Sequence, residues 1–115
     1  NMLQHSRGMP GERVSSNIHK LLDEYIALSY HGMRARDSTF NVKIEKLYDS
    51  SVPLIEIVPQ EIGRVFLNLL NNAYYSVNQK KKQNPTNLSY EPTVKITTEY
   101  RQDSAIIKIW DNGLG

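Results

Sequence analysis

Hydrophobic positions with a period of 3.6 residues predict two helices in this chain. The first runs from a cap at residues 15–17 to about Arg36, and the second runs from Gln60 to Gln79. Each segment carries one apolar stripe that would face a core. The stripe residues are Ile18, Leu21, Leu22, Tyr25 and Ile26 in the first helix, and Ile62, Phe66, Leu69, Ala73 and Val77 in the second.

Alternation of apolar and polar residues predicts four strands. They are Phe40–Tyr48, Leu54–Val58, Thr93–Tyr100 and Ala105–Trp110. The last two strands are joined by a turn at residues 102–104 and form an antiparallel hairpin. The order helix, strand, strand, helix, strand, strand predicts an α+β fold, a two-layer sandwich with the helices on one face of a mixed or antiparallel sheet.

The Gln60 helix has a second, polar stripe that its apolar stripe does not explain. Asn68 and Asn72 stand four residues apart, so their carboxamides project from one face, one turn above the other. Asparagine is a mediocre helix former, so several of them inside a leucine-rich helix need another reason. Paired amides that coordinate a hydrated cation or hold phosphate oxygens would be such a reason.

Composition narrows the possible functions. The chain has 115 residues, 39% hydrophobic content and a net charge of +2, which fits one small domain and gives no electrostatic indication of nucleic acid. It contains no cysteine, which excludes disulfides and thiolate chemistry. The apolar runs are too short for a membrane span, so a cytoplasmic location is the default. His19 and His31 have no ligand partner at metal-binding spacing, which favours surface roles for both.

Two motifs together resemble the ATP-binding catalytic domain of the sensor histidine kinases, a member of the GHKL group with the Bergerat fold. Residues 68–73, NLLNNA, match the N box, and residues 111–115, DNGLG, match the first glycine box, DxGxG. A glycine motif of this length is weak alone. An N box on a helix, followed about forty residues later by DxGxG at a strand end, is a specific combination.

The resemblance implies ATP and Mg²⁺ as ligands and assigns roles to the motif residues. Asn72 would ligate Mg²⁺ that bridges the ATP phosphates, and Asn68 would support the same cluster. Asp111 would accept a hydrogen bond from the adenine exocyclic amine, which favours adenine over guanine. Gly113 and Gly115 have no side chain and would let the backbone approach the nucleotide.

Two positions bear on the type of chemistry. In the ATP-hydrolysing branch of the group, the position of Asn68 is a glutamate that activates water, and an amide cannot act as a general base. The resemblance therefore favours phosphotransfer over hydrolysis. Many histidine kinases carry Lys or Arg at the position of Tyr75. This tyrosine would contact phosphate through a neutral hydroxyl, or else pack against the sheet edge.

The resemblance also predicts the organisation of a longer protein. Residues 1–13 match the end of a dimerisation-hairpin helix and a linker, and residues 14–115 match the first part of the catalytic domain. His5 is followed by Ser6 rather than an acidic residue, so it is not the phosphoacceptor, and no catalytic residue is expected in this chain. The intact protein would be a homodimer that passes phosphate from ATP to its own histidine and then to a response regulator, and segments outside this chain could anchor it to a membrane.

The chain ends at DxGxG, whereas in the family a nucleotide lid and a second glycine box follow. We therefore expect a fragment that binds ATP weakly or not at all and has no kinase activity alone. Two alternatives stay open from the sequence. One is a GHKL ATPase or serine protein kinase of the same fold, and the other is a non-catalytic interaction module whose asparagine-rich helix is structural.

Overall fold

A computed structural model describes residues 11–114, which form two helices and five strands. Helix α1 spans Ile18–Arg36 and helix α2 spans Pro59–Gln83. The strands are β1 (Val14–Ser16), β2 (Lys43–Leu47), β3 (Ile55–Ile57), β4 (Thr93–Arg101) and β5 (Ser104–Asp111). The predicted α+β class is confirmed. The proposed hairpin helix, His5 and Gly115 lie outside the described residues.

The main sheet has the strand order β2-β4-β5. Strand β2 runs parallel to β4, whereas β4 and β5 form the predicted antiparallel hairpin, so the sheet is mixed. The hairpin turns at Gln102 and Asp103, whose φ angles of 54° and 63° match the right-handed twist of the strands. Along β4, Val94, Ile96 and Thr98 are buried, as the alternation predicted.

Both helices begin where their sequences favour it. The Asn17 side chain caps α1 by accepting a hydrogen bond from the Lys20 amide at 3.1 Å. Helix α2 starts with Pro59, whose fixed φ suits a first turn and whose missing N–H costs nothing there. It continues one turn past the predicted end at Gln79, and three lysines in its last turn offset the partial negative charge of the helix end.

The core lies between the helices and the sheet, and its centre is aromatic. Tyr74 of α2 and Phe40 are almost fully buried and meet edge to face, with ring centroids 5.4 Å apart. The prediction that Leu69 belongs to the core stripe is wrong, because it is 44% exposed. The face of α2 that packs on the core instead carries Leu70 and Tyr74, which are fully buried. A leucine follows a leucine here, so apolar spacing alone could not set the phase of the helix.

Two further features depend on contacts distant in sequence. Strand β1 pairs antiparallel with β3 as a separate sheet. The sequence predicted β3 but did not predict β1. His19 is half-buried rather than a surface residue: its ring stacks on Tyr48 at 4.4 Å, and its Nε2 lies 2.7 Å from the Thr98 hydroxyl. His31 is exposed, as expected. Neither helix among residues 11–114 is long and apolar enough to cross a membrane.

Candidate functional site

The polar stripe of α2 lies on the solvent side of the helix. Asn68, Asn72 and Tyr75 are all exposed, and Tyr75 is 65% accessible. The Tyr75 hydroxyl accepts a hydrogen bond from Nε2 of Gln79 at 3.3 Å, on the same helix face. Packing of Tyr75 against the sheet edge, one of the two predicted roles, is therefore wrong. The three side chains form an open polar surface that other groups can approach.

Asp111 is the last residue of β5, and its register determines which way it faces. It is paired with Val94, which is fully buried under the helices, and two residues earlier Ile109 is paired with the equally buried Ile96. Because paired residues project to the same side of a sheet, Asp111 lies on the helix-facing side. Its Oδ1 accepts a hydrogen bond from the Gly113 amide at 2.9 Å, which folds the chain into a tight turn.

Gly113 brings this turn into direct contact with α2. A Cβ atom at Gly113 would overlap both the backbone and the Oγ of Ser76, so a side chain cannot be accommodated without movement. Ser76 follows Asn72 by four residues, which corresponds to about 6 Å along the helix axis. The turn at residues 111–113 therefore meets α2 one turn beyond Asn72. The structure brings both predicted motifs to neighbouring positions on one flank of the helix.

Asn112 is the residue that sequence reasoning missed. Its Oδ1 accepts hydrogen bonds from the Thr93 amide at 2.9 Å and from the Tyr90 hydroxyl at 3.2 Å. Its Nδ2 donates to the Glu91 carbonyl at 2.9 Å. The side chain thus ties the glycine motif to the segment that precedes β4. The variable position of DxGxG carries no sequence signal for these contacts, since its partners lie about twenty residues away.

Tyr90 and Lys80 complete the contacts behind the turn. Burial, and then the nearby charge of Asp111, raise the pKa of Tyr90 above its ordinary value, so its hydroxyl remains a donor at neutral pH. The Lys80 ammonium lies 4.9 Å from the centre of the Tyr90 ring and 3.4 Å from the Asn112 carbonyl oxygen. A cation of α2 therefore bridges the helix, the connecting loop and the motif.

An apolar groove lies elsewhere, at the start of α2. It has a volume of about 470 Å³ and is lined by Leu21, Tyr25, Leu28 and Pro59, among other residues. Pro59 precedes Asn72 by thirteen residues, or roughly 20 Å along the helix. None of the predicted site residues that the structure describes lines this groove. In residues 11–114 there is also no group of three or more His, Cys, Asp or Glu side chains placed to hold a metal ion.

Comparison with known proteins gives matches to one kind of protein. The chain is 32% identical over 92 residues to the sensory histidine kinase/phosphatase NtrB of Rhizobium leguminosarum bv. phaseoli. It is 28% identical over 107 residues to the NtrB of Escherichia coli O157:H7. These matches cover 80% and 93% of this chain but only 20% and 29% of the two relatives. No protein-family profile matches the chain. The resemblance to sensor histidine kinases that the two motifs indicated is confirmed by these similarities.

Proposed function

We propose that this chain forms the nucleotide-binding part of a sensor histidine kinase with the Bergerat fold. One observation carries the proposal: Gly113 packs on Ser76 and so brings the Asp111 turn to α2, one turn beyond Asn72. A carboxylate and a pair of amides then flank the same stretch of helix surface. The similarity to histidine kinases, over 80% or more of the chain, supports the same assignment.

The exposed amides fit Mg²⁺ and phosphate. Asn68 and Asn72 present neutral oxygen and nitrogen groups on one accessible face, four residues apart. Mg²⁺ keeps several waters and takes few protein ligands, with substrate phosphates supplying the remaining oxygens. Asn72 would hold the metal ion and Asn68 would bind the same cluster, while the ion neutralises phosphate charge. The exposed Tyr75 hydroxyl is available for a phosphate contact in place of a cation.

Asp111 suits the recognition of adenine. The Gly113 amide holds its Oδ1, so the carboxylate has a fixed orientation before any ligand arrives. In that orientation the group would accept a hydrogen bond from the exocyclic amine of adenine, whereas a guanine carbonyl at the same place would be repelled. The missing side chain of Gly113 faces Ser76, so it allows the turn that carries Asp111 to reach α2. Gly115 keeps its motif-based role as a second point of close backbone approach.

Asn68 favours phosphotransfer over hydrolysis. A carboxamide has no proton-accepting group near neutral pH, so Asn68 cannot activate water in the way that a glutamate would. ATP held at this site would be preserved until an incoming nucleophile reaches its γ-phosphate. Positioning and charge neutralisation would supply most of the catalysis. This distinguishes the proposal from a GHKL ATPase built on the same fold.

The activity belongs to a longer protein, because the chain spans 20–29% of the length of the curated relatives compared here. We propose that this protein transfers the ATP γ-phosphoryl group to a histidine on its own dimerisation domain and then to a response regulator. The relatives are named as kinases and phosphatases, and the residues described here bear on the nucleotide-dependent kinase reaction. The 115-residue chain alone is expected to bind Mg-ATP only weakly, which isothermal titration would measure.

The experiment is autophosphorylation of the full-length protein with radiolabelled ATP. Asn72→Ala is expected to lower phosphate incorporation at least about a hundredfold, because a metal-phosphate contact is lost. Asn71→Ala is the matched control, since Asn71 is exposed on the neighbouring helix position and should tolerate the change. Full phosphorylation of Asn72→Ala would favour the non-catalytic interaction module. Release of free phosphate without phosphorylated protein would favour the ATPase.

A further inference from the structure

Every polar group of Asn112, in the side chain and in the backbone, forms a hydrogen bond. Its side chain accepts from the Thr93 amide and donates to the Glu91 carbonyl, each at 2.9 Å. Its backbone N–H donates to the Thr93 carbonyl at 3.2 Å, and its carbonyl accepts from Lys80 at 3.4 Å. The chain at residue 112 therefore has little freedom to shift or rotate.

The side-chain contacts extend the β-sheet ladder at its end. Strand pairing ends where Asp111 faces Val94. The Asn112 carboxamide then bonds the Thr93 N–H and the Glu91 C=O, which are backbone groups that continued backbone pairing of the two strands would otherwise satisfy. An amide side chain has the same donor and acceptor pair as a peptide group. Asn112 thereby attaches the glycine motif to the loop between α2 and β4.

Tyr90 strengthens this attachment from the loop. Its hydroxyl lies 3.2 Å from both Oδ1 and the backbone oxygen of Asn112. A hydroxyl has one proton, so it donates to these acceptors alternately, and Lys80 covers the backbone oxygen as well. Lys80 in turn rests on the Tyr90 ring. The loop, the helix end and the motif are connected through three side chains.

We propose that Asn112 is a positioning residue that fixes the Asp111 carboxylate for recognition of the adenine base. This inference rests on the proposed nucleotide site. Asp111 and Gly113 are its immediate chain neighbours, and the hydrogen bond between them closes the turn around Asn112. Whatever holds residue 112 therefore sets the direction of the carboxylate. The Asn112 side chain is engaged by Thr93, Tyr90 and Glu91, so we assign it no direct contact with the base.

The carboxamide cannot be replaced by a carboxylate without loss. An aspartate at position 112 could still accept from Thr93 and Tyr90. It would however place a charged oxygen where Nδ2 now donates to the Glu91 carbonyl at 2.9 Å, and the two oxygens would repel each other. Asn112→Asp is therefore a near-isosteric variant that should disturb the turn. Asn112→Ala removes the contacts without introducing repulsion.

The test compares the binding of ATP with that of inosine triphosphate to the full-length protein. Inosine triphosphate replaces the exocyclic amine of ATP by a carbonyl. The ratio of the two dissociation constants therefore measures how strongly Asp111 favours adenine over hypoxanthine. We expect Asn112→Ala and Asn112→Asp each to reduce this preference for ATP about tenfold or more, since a small misplacement of a polar group has a large effect. Tyr90→Phe should reduce it less.

The control is Asn87→Ala. Asn87 lies in the same loop, and its side chain accepts hydrogen bonds from the amide and hydroxyl of Ser89 rather than bonding Asn112. Its loss should loosen the loop and leave the ratio unchanged. A partly unfolded sample lowers the active fraction for both nucleotides equally, so the ratio isolates positioning from folding.

The outcomes separate this inference from the proposed function. If the wild-type protein binds neither nucleotide, or Asp111→Ala keeps the full preference for ATP, the adenine site itself is wrong. If Asp111→Ala removes the preference but both Asn112 variants retain it, the site stands and the positioning role of Asn112 is overturned. Loss of the preference in Asp111→Ala and in both Asn112 variants, with Asn87→Ala unaffected, supports both.

Discussion

The two faces of helix α2 differ in what they contribute to the protein. One face is buried, and it carries Phe66, Leu70, Tyr74 and Val77 at 3% exposure or less. The other carries Asn68, Asn72 and Tyr75, all exposed, and Gln79 of the same helix donates a hydrogen bond to the Tyr75 hydroxyl there. Burial in the core explains why the first face is apolar. The stability of the fold does not explain why the second face carries two asparagines and a tyrosine. Adjacent residues of opposite faces, such as Leu69 and Leu70, allow the difference to be measured directly.

The largest expected effect is on the buried face. Leu70→Ala should lower the free energy of unfolding by about 3 kcal/mol, because the removed side chain is fully buried and leaves a cavity. Leu69→Ala, one residue away and 44% exposed, should cost less than about 1 kcal/mol. Urea unfolding of both variants measures the difference. Equal losses would show that the two leucines are buried alike and that the faces are assigned wrongly.

The contact between α2 and the glycine motif should give the next largest effect. Gly113→Ala should destabilise the protein by about 1–3 kcal/mol, because its Cβ would overlap the backbone of Ser76, which has little room to move. Gly32→Ala is the control, since an added methyl there meets nothing within 4 Å. It lies inside α1 and should stabilise by about 0.5–1 kcal/mol. A neutral Gly113→Ala variant would contradict the close packing of the turn.

A smaller effect is expected from two tyrosines that are neighbours in sequence. The buried Tyr74 hydroxyl lies 2.9 Å from the Ser29 hydroxyl, so Tyr74→Phe should cost about 1 kcal/mol. The Tyr75 hydroxyl is exposed and accepts a long 3.3 Å bond from Gln79, so Tyr75→Phe should change stability by no more than about 0.3 kcal/mol. Thermal unfolding of the pair checks this. A larger loss for Tyr75→Phe would reverse the comparison.

The smallest effect on stability is expected on the polar stripe itself. Asn72→Ala should leave the free energy of unfolding within about 0.5 kcal/mol of the wild type, or raise it slightly, because alanine is the better helix former and no buried contact is lost. Asn68→Ala should behave in the same way. Chemical denaturation provides the measurement. A decrease in the free energy of unfolding of more than about 1.5 kcal/mol in either variant would show that these asparagines stabilise the fold.

The sequence predicted most elements because their signals are local. Alternation located β4 and β5, and the spacing of apolar residues after a cap at residues 15–17 located α1. The phase of α2 was partly wrong because consecutive leucines satisfy either phase, and only packing against the sheet selects Leu70 over Leu69. Strand β1 has three residues and exists through pairing with β3, about forty residues later, which no local pattern reveals.

The candidate site was predictable to a similar degree. The N box and DxGxG pointed to Asn68, Asn72 and Asp111 without any structure. The contact of Gly113 with Ser76 and the bonds of Asn112 were not predictable, since they depend on how the β5 end meets α2 and the loop before β4. A motif identifies candidate ligand-binding residues more readily than the residues that hold the motif in place.

The most direct test of the difference between the faces is one variant with two readouts. Full-length protein carrying Asn72→Ala should bind Mg-ATP at least about tenfold more weakly than the wild type by isothermal titration. Its melting temperature without nucleotide should stay within about 2 °C of the wild-type value. Unchanged affinity for Mg-ATP in a folded Asn72→Ala protein would contradict the assignment of the exposed face of α2 to nucleotide binding.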